Sequence, residues 1–223
     1  IERINEPKDL KQFSVDECRA LATEMRQVLI NKISKTGGHL APNLGVVESV
    51  IAYHYVFDSP EDKIVFDVSH QCYPHKMLTG RMAAYTDENM YSSVTGFTEI
   101  TESEHDLFTV GHTSTSISLA SGLATARDFK GTSENIVAFI GDGSLGGGEA
   151  FEGLNYVASE IKSNFIIVLN DNNISIAENR GGLYKNLKEL RESEGKAENN
   201  FFKTLGMDYC FIKNGNDVEE VIN

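Results

Sequence analysis

The 223-residue chain contains no tryptophan, only four prolines and three cysteines, and its 20 Lys and Arg are outnumbered by 33 Asp and Glu. Each shortage excludes something. A formal charge of −13 leaves no broad positive surface for nucleic acid or an anionic membrane. Phosphate could be held only locally, by backbone N–H groups or a metal. No apolar run approaches the ~18 residues of a membrane span. The opening Ile1-Glu2-Arg3-Ile4-Asn5-Glu6 is charged where a signal peptide would be apolar. Cys18, Cys72 and Cys210 match no zinc or disulfide spacing, which predicts reduced thiols in a cytoplasmic protein. Glycine is plentiful at 19 residues, and apolar side chains make up 40% of the chain, enough for a sizeable core. At about 150 residues per domain, the length suits one large domain or a little more.

Ser14-Val15-Asp16-Glu17 has the form of a capping box, and Leu21, Met25, Val28 and Leu29 follow at helical spacing. A helix is predicted there, ending near Thr36-Gly37-Gly38. Leu44 to Phe57 reads as a second helix. Strands are predicted over Lys63 to Val68, Asn135 to Ile140 and Asn164 to Leu169, the last a continuous run of the kind a parallel sheet buries on both faces. Ser114 to Asp128 and Glu149 to Ser159 read as helices, Met207 to Ile212 as a short strand, and Asp217 as a helix start. Lys185 to Asn200 reads as a polar, mobile, solvated stretch. This alternation predicts the doubly wound α/β class, a mostly parallel sheet with helices on both faces, as a single domain over residues 1–223.

In open α/β sheets ligands lie beyond the carboxyl ends of the strands. Gly141-Asp142-Gly143-Ser144 follows one predicted strand, and Asn170-Asp171-Asn172-Asn173 follows the next. The glycines let backbone approach a ligand, and the N–H groups of the next helix can face an anion. Asp142 and Asn172 are 30 residues apart, one strand–helix–strand unit, so neighbouring strands would present both on one edge. A carboxylate with an amide oxygen suits Mg²⁺, which draws its other ligands from phosphates and water. Gly-Asp-Gly alone is most often a plain turn. Followed by Asn-Asp-Asn at this spacing, it resembles the metal–diphosphate signature of thiamine diphosphate enzymes.

Further segments narrow the resemblance: Gly37-Gly38-His39-Leu40-Ala41-Pro42-Asn43-Leu44-Gly45, Asp67-Val68-Ser69-His70-Gln71-Cys72-Tyr73-Pro74-His75-Lys76, Leu78-Thr79-Gly80-Arg81, Glu102-Ser103-Glu104-His105-Asp106 and Gly111-His112-Thr113-Ser114-Thr115-Ser116. In this order, from about Ser14 to Asp217, the chain closely resembles 1-deoxy-D-xylulose 5-phosphate synthases. A transketolase would share the metal signature without the His70 to Lys76 block. The resemblance implies a decarboxylating condensation of pyruvate with glyceraldehyde 3-phosphate, thiamine diphosphate and Mg²⁺ as cofactors, and a homodimer. It implies Mg²⁺ on Asp142, Asn172 and the Ile174 carbonyl. Gly111, His112, Thr113, Gly143, Ser144 and Asn172 would contact the cofactor, and His70 would lie near the thiamine. His39 would face the substrate, where an imidazole suits proton traffic at an alkoxide. In that family the glutamate that hydrogen-bonds the aminopyrimidine ring, and the basic residues that hold the substrate phosphate, lie in a downstream domain. The chain is therefore expected to be the diphosphate-binding domain of a larger enzyme and inert alone.

Several positions depart from that family. Ser69 stands where Gly is usual, adding a side chain beside the cofactor pocket, and Thr113 replaces Ser. Thr98-Glu99-Ile100-Thr101 replaces a stretch that often carries basic residues, Asn216 replaces His, and the segment between Arg191 and Phe201 is shorter. Two other readings stay open: a diverged transketolase-like enzyme with another donor or acceptor, and a non-catalytic split subunit. For His75 a satisfied loop imidazole is the expected role, and for His54 a core or surface place on its helix. A zinc site of His70, Cys72 and His75 would lack a fourth ligand, and Cys72 lacks an activating partner for nucleophilic chemistry.

Overall fold

Strands β1 (Lys63–Phe66), β2 (Ile136–Gly141) and β3 (Phe165–Asn170) form one parallel sheet in the order β1-β2-β3. The computed structural model describes residues 1, 3–172 and 177–223. In chain order the helices are α1 (Val15–Thr36), α2 (Leu40–Leu44), α3 (Val47–Val56), α4 (Tyr73–Lys76), α5 (Ala83–Thr86), α6 (Ser116–Lys130), α7 (Asp142–Leu145), α8 (Gly148–Glu160), α9 (Gly182–Glu192), α10 (Phe201–Thr204) and α11 (Val218–Ile222). None of the helices among the described residues is long and apolar enough to cross a membrane.

Successive strand side chains alternate between two cores. Ile64, Phe66, Val137 and Phe139 join Leu21, Met25 and Leu29 of α1 and Val47, Val50 and Ile51 of α3. Val65, Ile136, Ala138 and Ile140 join Ile117, Ala120 and Ala124 of α6, Leu154 and Val157 of α8, and Leu187 and Leu190 of α9. Helices therefore cover both faces, as the alternation of elements predicts. Each fully buried Leu, Ile or Met is worth about 1.5–3 kcal/mol relative to exposure.

α1 begins on the predicted capping box: Ser14 Oγ accepts from Glu17 N–H at 3.2 Å, and the Glu17 carboxylate accepts from Ser14 N–H at 2.9 Å. It ends at Gly37 (φ 72), whose N–H reaches the Ile33 carbonyl.

Four expectations are corrected. The predicted Leu44 to Phe57 helix is two, broken at Gly45 and Val46, because Arg26 takes the Leu44 carbonyl at 3.0 Å while gripping Glu48. β3 is not buried on both faces: Ile166 is 40% exposed, since α1 and α3 lie over β1 and β2. Met207 to Ile212 alternates half-buried and exposed residues as a strand would, and Met207 and Tyr209 pack on the second core, yet it joins no sheet among the described residues. Lys185 to Asn200 is not a solvated stretch throughout, because its first part is α9, where Leu187 and Leu190 are buried.

Candidate functional site

The first group at the site is organised by Asn43. A Cβ at Gly38 (φ 133) would stand 3.1 Å from the Tyr73 hydroxyl, and one at Gly96 would stand 3.3 Å from it. Glycine at these positions lets the chain close on Tyr73, whose hydroxyl lies 3.4 Å from His39 N and 3.3 Å from His39 Nδ1. Asn43 is wholly buried. Its amide nitrogen donates to the His39 carbonyl at 2.6 Å and to the His70 carbonyl at 2.8 Å, and its oxygen accepts from Tyr73 N–H at 2.9 Å.

The His39 and His70 rings meet edge-on with centroids 5.4 Å apart, and Phe97 lies 5.4 Å from His39. Burial first, and the charge of His39 second, push the His70 imidazole below its ordinary pKa against the pull of Asp67. His70 Nδ1 is buried and has no hydrogen-bond partner among the described residues. A neutral imidazole with an unused nitrogen is equipped to take or give a proton.

Asp67, at the end of β1, joins this group to the second. Its buried carboxylate accepts from Ser114 N–H at 2.8 Å and Ser116 N–H at 2.9 Å, where α6 begins. Ser114 Oγ in turn donates to the Ser144 carbonyl at 2.7 Å. A Cβ on Gly147 would lie 1.9 Å from that hydroxyl, so only glycine admits the approach. The turns carrying Gly111, His112 and Thr113 and carrying Gly143 and Ser144 are thus fastened together, with Gly111, His112 and Thr113 exposed.

The third group is the metal candidate. Parallel pairing sets Gly141 opposite Asn170, which brings Asp142 and the Asp171–Asn172 turn to the same edge. Asp142 is buried and accepts from Asn179 Nδ2 at 2.8 Å. Burial and then the neighbouring Asp171 push its carboxyl up to about 6. Asp171 pairs with Arg191, and Asn172 is exposed. Ile174 lies outside the described residues.

A groove of about 500 Å³ runs beside the Gly111–His112 turn, lined by Phe97, Thr98, Glu99, Val110, Gly111 and His112 among others. Ser69 is not directed into it. Held at φ 67, its hydroxyl is buried, donates to the Val110 carbonyl at 2.9 Å and accepts from Thr98 N–H at 2.9 Å. The serine, expected as an added side chain beside the cofactor pocket, ties both walls of the groove to the turn that carries His70.

The rest of the His70 to Lys76 block faces away from the site. His75, on α4, lies 3.2 Å from Asp106 Oδ1 and 2.9 Å from His54 Nε2, all three residues buried. His54 thus takes a core place, one of the two expected of it, whereas His75 is hydrogen-bonded as expected but sits on a buried helix rather than in a loop, and burial lowers both pKa values. Arg81 grips both oxygens of Asp106 at 2.7 and 2.8 Å, and Lys76 reaches Glu102 at 2.6 Å. Burial alone would raise the Asp106 carboxyl, but Arg81 and His75 hold it well below the usual carboxylate range. Burial pushes the Cys72 thiol up to about 12, which rules it out as a nucleophile near neutral pH.

Asn43, Asp67, Tyr73 and Ser114 lie inside the quoted motifs, but their roles depend on contacts between segments far apart in the chain. Asn179 had no signal beyond its place downstream of the Asn-Asp-Asn turn.

The family model for 1-deoxy-D-xylulose-5-phosphate synthase matches residues 1–200. A protein of that name from Brevibacillus brevis is 53% identical over 191 residues, 86% of this chain and 30% of that protein. Its namesake from Listeria monocytogenes is 44% identical over 226 residues, 99% of this chain and 37% of that protein. The chain thus spans about a third of the length of these relatives. A solved transketolase variant from Pichia stipitis superimposes with a TM-score of 0.65 at 20% identity, over 94% of this chain and 33% of that one, a likeness of fold. The chain belongs to the 1-deoxy-D-xylulose-5-phosphate synthase family.

Proposed function

We propose that these residues are the diphosphate-binding part of an enzyme that condenses pyruvate with glyceraldehyde 3-phosphate, with loss of CO₂, to 1-deoxy-D-xylulose 5-phosphate for isoprenoid synthesis. The observation that carries the reading is the single sheet edge on which Ser114 fastens the Gly111–Thr113 turn to the Gly143–Ser144 turn beside Asp142.

The residues present fit the implied cofactors. A buried carboxyl raised to about 6 by a second carboxylate is a site that a divalent cation would stabilise. On this reading Asp142, Asn172 and the Ile174 carbonyl hold Mg²⁺. Gly143 and Ser144, with Gly111, His112 and Thr113, contact the diphosphate. His70 Nδ1, without a partner among the described residues, suits a group that meets the thiamine. Thiamine diphosphate, when bound, supplies the electron sink for decarboxylation. His39, hydrogen-bonded to Tyr73 and braced by Phe97, gives or takes a proton at the substrate oxygen. The working enzyme is a cytoplasmic homodimer, and a downstream pyrimidine-binding domain completes the site.

The test is product formation by the full-length protein from pyruvate and glyceraldehyde 3-phosphate with thiamine diphosphate and Mg²⁺. Deoxyxylulose phosphate is expected, and its absence despite normal cofactor binding would reject the substrates. The Glu99 carboxylate in the groove favours one rival, a transketolase-like enzyme with a less anionic acceptor. Turnover of other α-keto acids or unphosphorylated aldehydes in its place would establish that rival.

A further inference from the structure

Asn43 is a buried amide whose three hydrogen bonds all go to the backbone of residues at the site. One amide nitrogen binds the carbonyls of His39 and His70, and the amide oxygen binds the N–H of Tyr73. The chemistry fixes its orientation, because carbonyls only accept and a peptide N–H only donates. His39 follows the two glycines after α1, and His70 follows β1, so the two come from segments 31 positions apart. Their rings nevertheless lie 5.4 Å apart, with the Tyr73 hydroxyl 3.3 Å from His39 Nδ1. Asn43 is the side chain that bonds to both histidine residues and to Tyr73.

We infer that Asn43 is a positioning residue: it sets the spacing and orientation of the His39–His70 pair, and its effect on the reaction passes through those two imidazoles. No shorter or apolar side chain at position 43 supplies two donors and an acceptor in this arrangement. Alanine would remove one partner from each of two half-buried carbonyls and from a buried N–H. Serine could satisfy at most one of the carbonyls by donation. Aspartate has the right shape but places carboxylate oxygen against two carbonyl oxygens. The histidines would then relax independently, and displacement of a reacting group by about 1 Å can cost up to a hundredfold in rate. The metal candidate at Asp142 has no bond to Asn43 among the described residues, so the Mg²⁺ requirement should be spared.

The kinetic part of this inference rests on the condensation proposed above, whereas the spectroscopic part does not. In the full-length protein, Asn43→Ala and Asn43→Ser are compared with wild type. The expected kinetic result is a kcat lowered about ten- to a hundredfold, with the Mg²⁺ concentration for half-maximal activity within about twofold. The expected NMR result is that the imidazole resonances of His39 and His70 shift while that of His112 stays in place. Where Asn43→Ala fails to fold, Asn43→Ser gives the same two readings. Unmoved His39 and His70 resonances would overturn the inference, as would an unchanged kcat. Should the wild-type protein make no deoxyxylulose phosphate, the histidine resonances still decide on Asn43, and only the substrate reading falls.

Discussion

The two halves of the site are completed in different ways. Around His39 and His70 protein groups set the geometry: Asn43 ties the two backbones together, Tyr73 and Phe97 flank the His39 ring, and the buried ionic cluster of Lys76, Arg81, Glu102 and Asp106 holds the Thr95 and Glu99 wall of the groove. Around Asp142 burial and Asp171 leave a carboxyl raised to about 6. The histidine half relies on hydrogen bonds among protein groups. The aspartate half concentrates negative charge, which an added cation offsets. An acidic protein can therefore hold a diphosphate without spending Lys or Arg on it.

The contrast can be broken from its finished side. Asp106 is fully buried and held by Arg81, so Arg81→Ala leaves an uncompensated buried charge and should cost about 3–5 kcal/mol. Native-state hydrogen exchange over residues 73–81 and 95–106 reads that loss. Unchanged protection would mean that the cluster is not what holds the groove wall.

The unfinished side should respond to ligand. Thiamine diphosphate with Mg²⁺ at a hundred times its Kd should add about 2.7 kcal/mol of stability. New exchange protection is expected over residues 141–146, with little change around Asn43. The reverse pattern would mean that the halves are assigned the wrong way round.

Acid should weaken the finished side. His54 and His75 are buried with lowered pKa values, so the unfolded chain binds more protons once pH falls below about 6.5. Their stabilising effect is full above that pH and lost below it, at up to about 1.4 kcal/mol per pH unit for each histidine. Asp106 loses its contribution at lower pH still, below its ordinary carboxylate range, because its folded pKa is depressed. Unfolding of Asp142→Asn, which removes the opposite contribution of a carboxyl raised to about 6, checks the histidine part between pH 7.5 and 5.5, and a flat profile there would contradict it.

The smallest expected effect concerns Ser69. Ser69→Ala loses two buried hydrogen bonds and keeps the left-handed backbone, whereas Ser69→Gly loses the same bonds but relieves that strain. Glycine should therefore cost about 1 kcal/mol less than alanine in denaturant unfolding. Equal costs would show that the backbone at Ser69 carries no strain.

Local signals carried far in this chain. The Ser14–Glu17 capping box, the three strand runs and the glycine at Gly37 act within a turn or two of themselves, and each appears where its pattern predicts an element boundary or a strand. The strand-end motifs were legible for the same reason, because β2 and β3 are neighbours and parallel pairing brings Asp142 and Asn172 to one edge.

What was not legible depends on partners distant in sequence. Arg26 breaks the second helix from a turn of α1, and α9 is a helix because Leu187 and Leu190 find a core assembled elsewhere. Asn43 looks like an ordinary turn residue until His39, His70 and Tyr73 converge on it. Ser69 reads only as an added side chain, and the Thr98 and Val110 partners of its hydroxyl come from segments far along the chain.

Calorimetric titration of the full-length protein with thiamine diphosphate, with and without Mg²⁺, tests the diphosphate-binding assignment most directly. Saturable binding that requires Mg²⁺ in the wild type, and that disappears in Asp142→Ala while the fold is retained, is the expected result. Unchanged affinity in Asp142→Ala, or full binding in the presence of EDTA, would contradict it.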